Sequence, residues 1–459
     1  MRLTALVCFV VLAVACGEKK PAPPAFKWSP GVVYYAPREA NARGLLDRKG
    51  LIHSHSVYSY DACDGSPRGA DGAYDSVCFE DFRRGLCATK HDFVFLTDHR
   101  DSFVDGEYPD VLLYRGERGD LLLDHGGGPT ASWLACPDSP PTLVMAGAET
   151  TPLMPVGLER HVEGRGSVYG DGSAASMQKL KEAGAVVLVA HTEGRTVDEL
   201  VNLPYDGFEM FNLHANAFKN ANILVDFTLK TDAKEFEALP EPNALFTGFN
   251  VEDTAYLTTW GSVLARGVKR VTTMGTDCHR NTFPSVAADG ERIDSYRRMM
   301  MAFSNHLLVR PKADGSFDDR DLKEALKAGR LYGVFDAFGT PEGFDFVGGE
   351  GGLTKEMGEE LSLAAGATLT VTRPSVKDLD TDAEAPRLSL KLFKAREGGW
   401  DEVASSEDKS LTFTPTAPGA YRAEVRMVPL HLKGFLGPVP AWARADRPWV
   451  YSNAIYVVP

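Results

Sequence analysis

The sequence predicts an α/β protein, with β/α units around a parallel sheet followed by a smaller β-sandwich. Three observations carry this. Over the first 350 residues, short apolar runs alternate with segments whose apolar residues recur at helical spacing. Near Gly348-Gly349-Glu350-Gly351-Gly352 the composition shifts, and the segments beyond alternate with period two, as half-buried strands do. One apolar run after another also ends in His, Asp or Glu, where parallel β/α enzymes place their chemistry.

A chain of 459 residues is long enough for a core of roughly 300 residues and one smaller module. The formal net charge of -14 excludes a nucleic-acid groove running over the surface, which needs clustered Lys and Arg. It leaves an anionic substrate open, because bound divalent cations reverse the field locally.

Taken in order, the N-terminus comes first. Met1-Arg2 gives a positive charge, residues 3–15 form a short apolar run, and Ala13-Val14-Ala15-Cys16 closes it in small residues. The run is too short to span a bilayer comfortably and has the shape of a secretory signal. Small residues before Cys16 resemble a bacterial lipoprotein signal, in which that cysteine is acylated. Ala13 stands where such signals usually carry Leu, and an uncleaved anchor is the alternative. Gly17 in the next position favours the outer membrane of a diderm bacterium. Residues 1–15 are thus read as signal and 16–25 as an extended tether containing Lys-Lys-Pro-Ala-Pro-Pro.

Export changes the reading of the cysteines. Cys63, Cys78, Cys87, Cys136 and Cys278 remain, and in an oxidising compartment an even set pairs. Cys278, between two candidate metal ligands, is the odd one out. Spacing leaves three connectivities open for the other four. Cys63 with Cys78 would close the Gly- and Asp-rich excursion 64–76 and leave Cys87 with Cys136.

Strands are expected at 50–52, 93–96, 142–145, 185–189, 208–211 and 271–274. Helices are expected from 79–84, at 174–183, from 196–200, and at 252–266, 292–308 and 319–329. The stretch 101–141 is polar, Gly-rich in its middle, and read as a surface insertion. Beyond 350, the period-two segments are 367–371, 388–392, 411–414 and 421–425, with Pro418-Gly419-Ala420-Tyr421 as the turn before a late strand. Residues 26–350 are read as the β/α part and 351–459 as an immunoglobulin-like β-sandwich.

The chemistry sits at the strand ends. His53-Ser54-His55 follows the first strand, and residues two apart on extended chain point the same way and can clasp one ion. Asp61 follows on the loop, Thr97-Asp98-His99 ends the second strand, Glu149 follows the third and His191 the fourth. Asp277-Cys278-His279 repeats the two-apart geometry, and His161 after Glu159-Arg160 is a further candidate. Imidazole together with carboxylate suits Zn, Mn or Fe, whereas Ca alone takes oxygen.

In order and strand context these residues resemble the PHP (polymerase and histidinol phosphatase) superfamily over roughly residues 49–336. The resemblance implies a distorted (β/α)7 barrel holding two or three divalent transition-metal ions. Its ligands would be His53, His55, Asp61, His99, Glu149, His161, His191, Asp277 and His279, with Glu149 bridging. The Cys-rich insertion and the immunoglobulin-like tail depart from the smallest members of that family.

The implied reaction is hydrolysis of a phosphomonoester or phosphodiester by metal-activated water, on a phosphorylated small molecule or an envelope phosphoester. Asp98 would orient a ligand or accept a proton, or simply make a strand-end hydrogen bond. Arg100, Arg160, Arg195 and Arg280 each lie within a few residues of a ligand, with Arg195 and Arg280 the better phosphate binders. Glu209 is read as support. The alternatives are hydrolysis of another bond type, or a non-catalytic surface lipoprotein that binds through its β-sandwich.

Overall fold

A computed structural model describes residues 27–150, 153–220, 241–437 and 439–459. The signal segment, Cys16 and the tether expected at 16–25 lie outside the described residues.

Eleven strands build the first part: β1 (Leu46–Leu51), β2 (Phe93–Phe95), β3 (Leu121–Asp124), β4 (Pro129–Cys136), β5 (Ser139–Gly147), β6 (Met154–Leu158), β7 (Val186–Val189), β8 (Gly207–Asn212), β9 (Val271–Gly275), β10 (Ser304–Val309) and β11 (Leu331–Val334). β1, β2 and β5 are parallel neighbours, and so are β7, β8 and β9. β6 joins the two sets and runs antiparallel to β5 and β7. The far ends of this run meet just past their strands. Asp277 N donates to His53 O at 3.1 Å, and His55 N donates to Cys278 O at 3.2 Å.

β9 has no strand on its outer edge among the described pairings, and two asparagine side chains take that place. Asn305 on β10 accepts from Met274 N at 2.9 Å and donates to Met274 O at 2.8 Å. Asn453, near the C-terminus, does the same for Thr272 at 2.9 and 2.8 Å. A carboxamide offers the donor and acceptor of a peptide group, so the edge is satisfied without a ladder.

Alternate residues of the strands feed two separate cores. Phe93, Phe95, Leu143, Met145, Val156, Leu188 and Leu307 belong to one, and Leu51, Val94, Val144, Val187 and Phe208 to the other, with helix residues Phe82, Leu180 and Trp260. Strands buried on both faces read as continuous apolar runs, which is why the sequence shows them without alternation.

Two expectations need correction. Of the helix expected at 292–308, only Tyr296–Met300 is helical, and Ser304–Val309 is β10, antiparallel to β1. Being fully buried, β10 lacks the polar face that would have marked its period. Residues 101–141 are not a mere surface excursion either. β3 and β4 form a hairpin that extends the sheet from β5, and Leu112, Ala131 and Leu134 are buried. Asp120 anchors it by accepting two 2.8 Å bonds from Arg83.

Beyond β11 the described residues form strands and three short 3-10 turns, with no α-helix. Asp345–Glu350, Leu353–Lys355, Thr368–Thr372 and Ser410–Phe413 form a four-stranded sheet, which therefore begins ahead of the expected boundary at 351. Gly399–Ser406, Arg387–Arg396, Gly419–Val428 and Arg447–Ser452 are successive partners, and the last pairs antiparallel with β11. The large sheet thus runs unbroken from the first part into the second. Among the described residues the protein is a mixed α/β structure with one large sheet of 17 strands.

Disulfides join Cys63 to Cys78 and Cys87 to Cys136, and Cys278 is free and buried.

Candidate metal centre

Ligand-type side chains converge where β1, β2, β5, β7, β8 and β9 end. One group is His53, Glu149, His191 and Asp277, and a second is His55, Asp61, His99 and His279. His214, Asp277 and His279 outline a third. Within each group the ligand atoms lie within 4.8 Å of one another.

Two carboxylates tie the groups together. Glu149 Oε2 lies 3.2 Å from His55 Nε2 and 3.4 Å from His99 Nδ1, while its Oε1 lies 3.3 Å from His191 Nε2. Asp277 Oδ1 is 3.3 Å from His53 and 3.2 Å from His55, and Oδ2 is 3.2 Å from His191 and 3.4 Å from His214. Asp61 Oδ2 faces His99 at 3.1 Å and His279 at 3.2 Å.

Sharp turns aim these groups. His191 and Asp277 both sit at φ 52°, the left-handed region that non-glycine residues seldom enter. Strain of this kind, about 1–3 kcal/mol per residue, is tolerated where the surroundings over-determine the conformation and often marks function.

The outer nitrogens of the imidazoles are committed elsewhere. His53 Nδ1 bonds Glu209 Oε1 at 2.7 Å, His55 Nδ1 faces Ser59 Oγ at 3.3 Å, and His279 Nδ1 faces Asp277 O at 2.8 Å. With the proton held on Nδ1, each Nε2 presents a lone pair to the centre. His53 Nε2 and His55 Nε2 then face each other at 3.1 Å as two acceptors. Asp277 Oδ1 and His279 Nε2, both buried, have no hydrogen-bond donor. Acceptors crowded together without donors fit a cation, and this mix of nitrogen and oxygen fits a divalent transition metal.

Without a cation, protons would have to supply the charge this cluster draws. Burial would push the His53 imidazole down, yet Glu209, Asp277 and Glu149 hold it well above its ordinary value. Burial would raise the Glu149 carboxyl, but His53, His191 and His55 hold it well below the usual range, and Asp277 behaves likewise beside His53, His191 and His214. The carboxylates call for positive charge at this point.

Glu209 is fully buried and built in. Besides His53, it accepts from His191 N at 3.2 Å and Asn212 Nδ2 at 3.3 Å, and a Cβ on Gly275 would stand 1.9 Å from its Oε1. Glu193 faces His191 Nδ1 at 3.5 Å and accepts a bond from Tyr256 OH.

Not every expected residue arrives. His161 is not in any of these groups. Its Nε2 bonds Gly106 O at 2.9 Å, its Nδ1 faces Tyr169 OH at 3.4 Å, and its ring packs on Phe103. His214, outside the expected ligand set, stands at the centre instead, two residues past the end of β8. Arg280 turns to Asp81 at 3.0 Å rather than to the centre, and Arg195 lies near Tyr205 and Glu199. Asp98 is buried and accepts from Ser56 N at 2.6 Å and Ser56 Oγ at 2.9 Å, the strand-end hydrogen bond. A separate His125, Asp318 and Asp319 group is already countered by Lys312 and Lys323.

No family model and no curated protein matches the chain. Among solved structures, a two-domain protein from Bacteroides vulgatus containing a predicted PHP-like metal-dependent phosphoesterase aligns over 92% of this chain and 99% of its own. The identity is 13% and the TM-score 0.31, a likeness too loose to bear on fold or chemistry.

Proposed function

We propose that the chain is a PHP-type metal-dependent phosphoesterase. The observation that carries this is the pair of four-residue groups sharing Glu149 and Asp277 at one end of the sheet. His53, Glu149, His191 and Asp277 would hold one divalent ion and His55, Asp61, His99 and His279 another, with His214 beside a third position. Adjacent divalent ions acidify bound water and neutralise charge gained by a phosphoryl group in the transition state.

The protein's own groups do the rest. Glu209 and Ser59 keep His53 and His55 in the tautomer that presents Nε2. Glu149, offering one oxygen to each side, fixes the spacing of the two groups. His99 and His191 are part-exposed, so the centre opens to solvent and substrate.

In this reading the run β1-β2-β5-β6-β7-β8-β9 is a (β/α)7 barrel distorted by the antiparallel β6, and the C-terminal strands are an immunoglobulin-like sandwich. The protein would be exported and anchored through acylated Cys16, and Cys16→Ser would leave it unprocessed or released from the membrane.

The test is turnover of 4-nitrophenyl phosphate and bis(4-nitrophenyl) phosphate with added Mn or Zn. Wild type should cleave at least one, and Glu149→Gln, nearly isosteric but lacking the shared charge, should lose cleavage while circular dichroism is unchanged. Full activity in Glu149→Gln contradicts the proposal.

A further inference from the structure

Two large aromatic side chains stand exposed among the described residues, Tyr60 at 58% and Phe218 at 64%. Apolar rings cost free energy in water, so their positions carry information. Both stand against the centre. The Tyr60 ring is 5.1 Å from His99, and Phe218 packs edge-on to His214 at 4.7 Å. His99 and His214 in turn flank His279, at 5.7 and 5.4 Å. The rings therefore form one row, Tyr60, His99, His279, His214, Phe218, with ligand-type histidines in the middle and an open aromatic face at each end.

Two guanidiniums that directly follow ligands of this row are already paired: Arg100 bonds Asp101 and Arg280 pairs with Asp81. A phosphomonoester is largely a dianion at neutral pH, its second pKa lying near ~6. Its extra charge would find neither of these guanidiniums free. A diester carries a single charge and has two arms, one for each side of the row.

We propose that the centre takes phosphodiesters bearing flat aromatic arms, with Tyr60 and Phe218 as the specificity-determining residues on either side. This rests on the phosphoesterase reading and goes beyond it in naming the substrate class. Offset or edge contacts between rings are favourable, and removing one ring weakens binding by about fivefold.

Three nitrophenyl esters test it with Mn- or Zn-supplemented protein: bis(4-nitrophenyl) phosphate, methyl 4-nitrophenyl phosphate and 4-nitrophenyl phosphate. Wild type should show the highest kcat/KM on the two-ring diester and the lowest on the monoester. Tyr60→Ala and Phe218→Ala should each raise KM for the two-ring diester about fivefold with kcat within about twofold, and Tyr60→Phe should retain the wild-type KM. Calorimetry with diphenyl phosphate gives a readout independent of turnover, and each alanine variant should weaken its binding by the same factor. Preference for the monoester, or unchanged KM and diphenyl phosphate affinity in both alanine variants, overturns this inference and leaves the phosphoesterase reading standing. A wild type that cleaves none of the three overturns both.

Discussion

Gly275→Ala is the smallest change that should disable the centre without touching a ligand. The added Cβ would lie 1.9 Å from Glu209 Oε1, 2.9 Å from Glu209 Cδ and 3.0 Å from His53 Cβ. The carboxylate would have to retreat by about 1 Å or more, in a packed interior with no room to yield. Moving it breaks the 2.7 Å bond that fixes His53 Nδ1 and disturbs the bonds from His191 N and Asn212. Overpacking costs about 1–3 kcal/mol. Loss of a carboxylate that orients a ligating histidine weakens metal binding about 10- to 100-fold. Urea unfolding without metal and titration with Zn or Mn measure the two effects separately. The double variant with Glu209→Ala supplies the control, because shortening Glu209 removes most of the clash, so the two stability losses should be non-additive by more than about 1 kcal/mol. Wild-type metal affinity in Gly275→Ala, with stability within about 0.5 kcal/mol, would refute the reasoning.

Further outcomes follow from the same contacts. His214→Ala should lower the number of metal ions bound, whereas His161→Ala should leave it unchanged, as elemental analysis of the two proteins will show. Asn453→Ala strips Thr272 of both partners on the buried edge of β9, and at about 1–3 kcal/mol per orphaned group should reduce stability to urea by roughly 2–6 kcal/mol. Burial holds the His431 imidazole down, to about 4, with its Nδ1 unpartnered. Below pH 6.5 the unfolded chain takes up a proton the native one refuses, so stability falls between pH 6.5 and 4, by up to about 3 kcal/mol. His431→Gln should unfold with a visibly shallower acid dependence across that window.

Much of the centre was legible because a strand end is a fixed place. His53, His55, His99, Glu149, His191, Asp277 and His279 each follow an apolar run, and the structure draws all seven together with Asp61. His214 obeys the same rule after β8, but it lies in the short helix Leu213–Lys219, which follows the strand directly and carries no helix expectation in the sequence. His161 follows β6, which runs antiparallel to its neighbours, so the end of that strand points away from the others. Nothing in the local sequence signals that reversal. Arg280 has φ 56° directly after His279, and the turn carries its guanidinium to Asp81, a long-range partner no spacing rule supplies. The side-chain closure of β9 by Asn305 and Asn453 was equally invisible, since Asn305 falls inside the helix expected at 292–308 and both contacts are long-range.

The central claim is that these side chains hold metal ions, and the direct measurement is metal content per chain. Purified protein equilibrated with Zn or Mn and freed of excess should retain at least two ions, by the two four-residue groups. Asp277→Asn should retain fewer, because Asp277 faces His53, His55, His191 and His214 at once. A wild type that retains no transition metal under saturating supplementation, or Asp277→Asn that binds as much as wild type, would contradict the account.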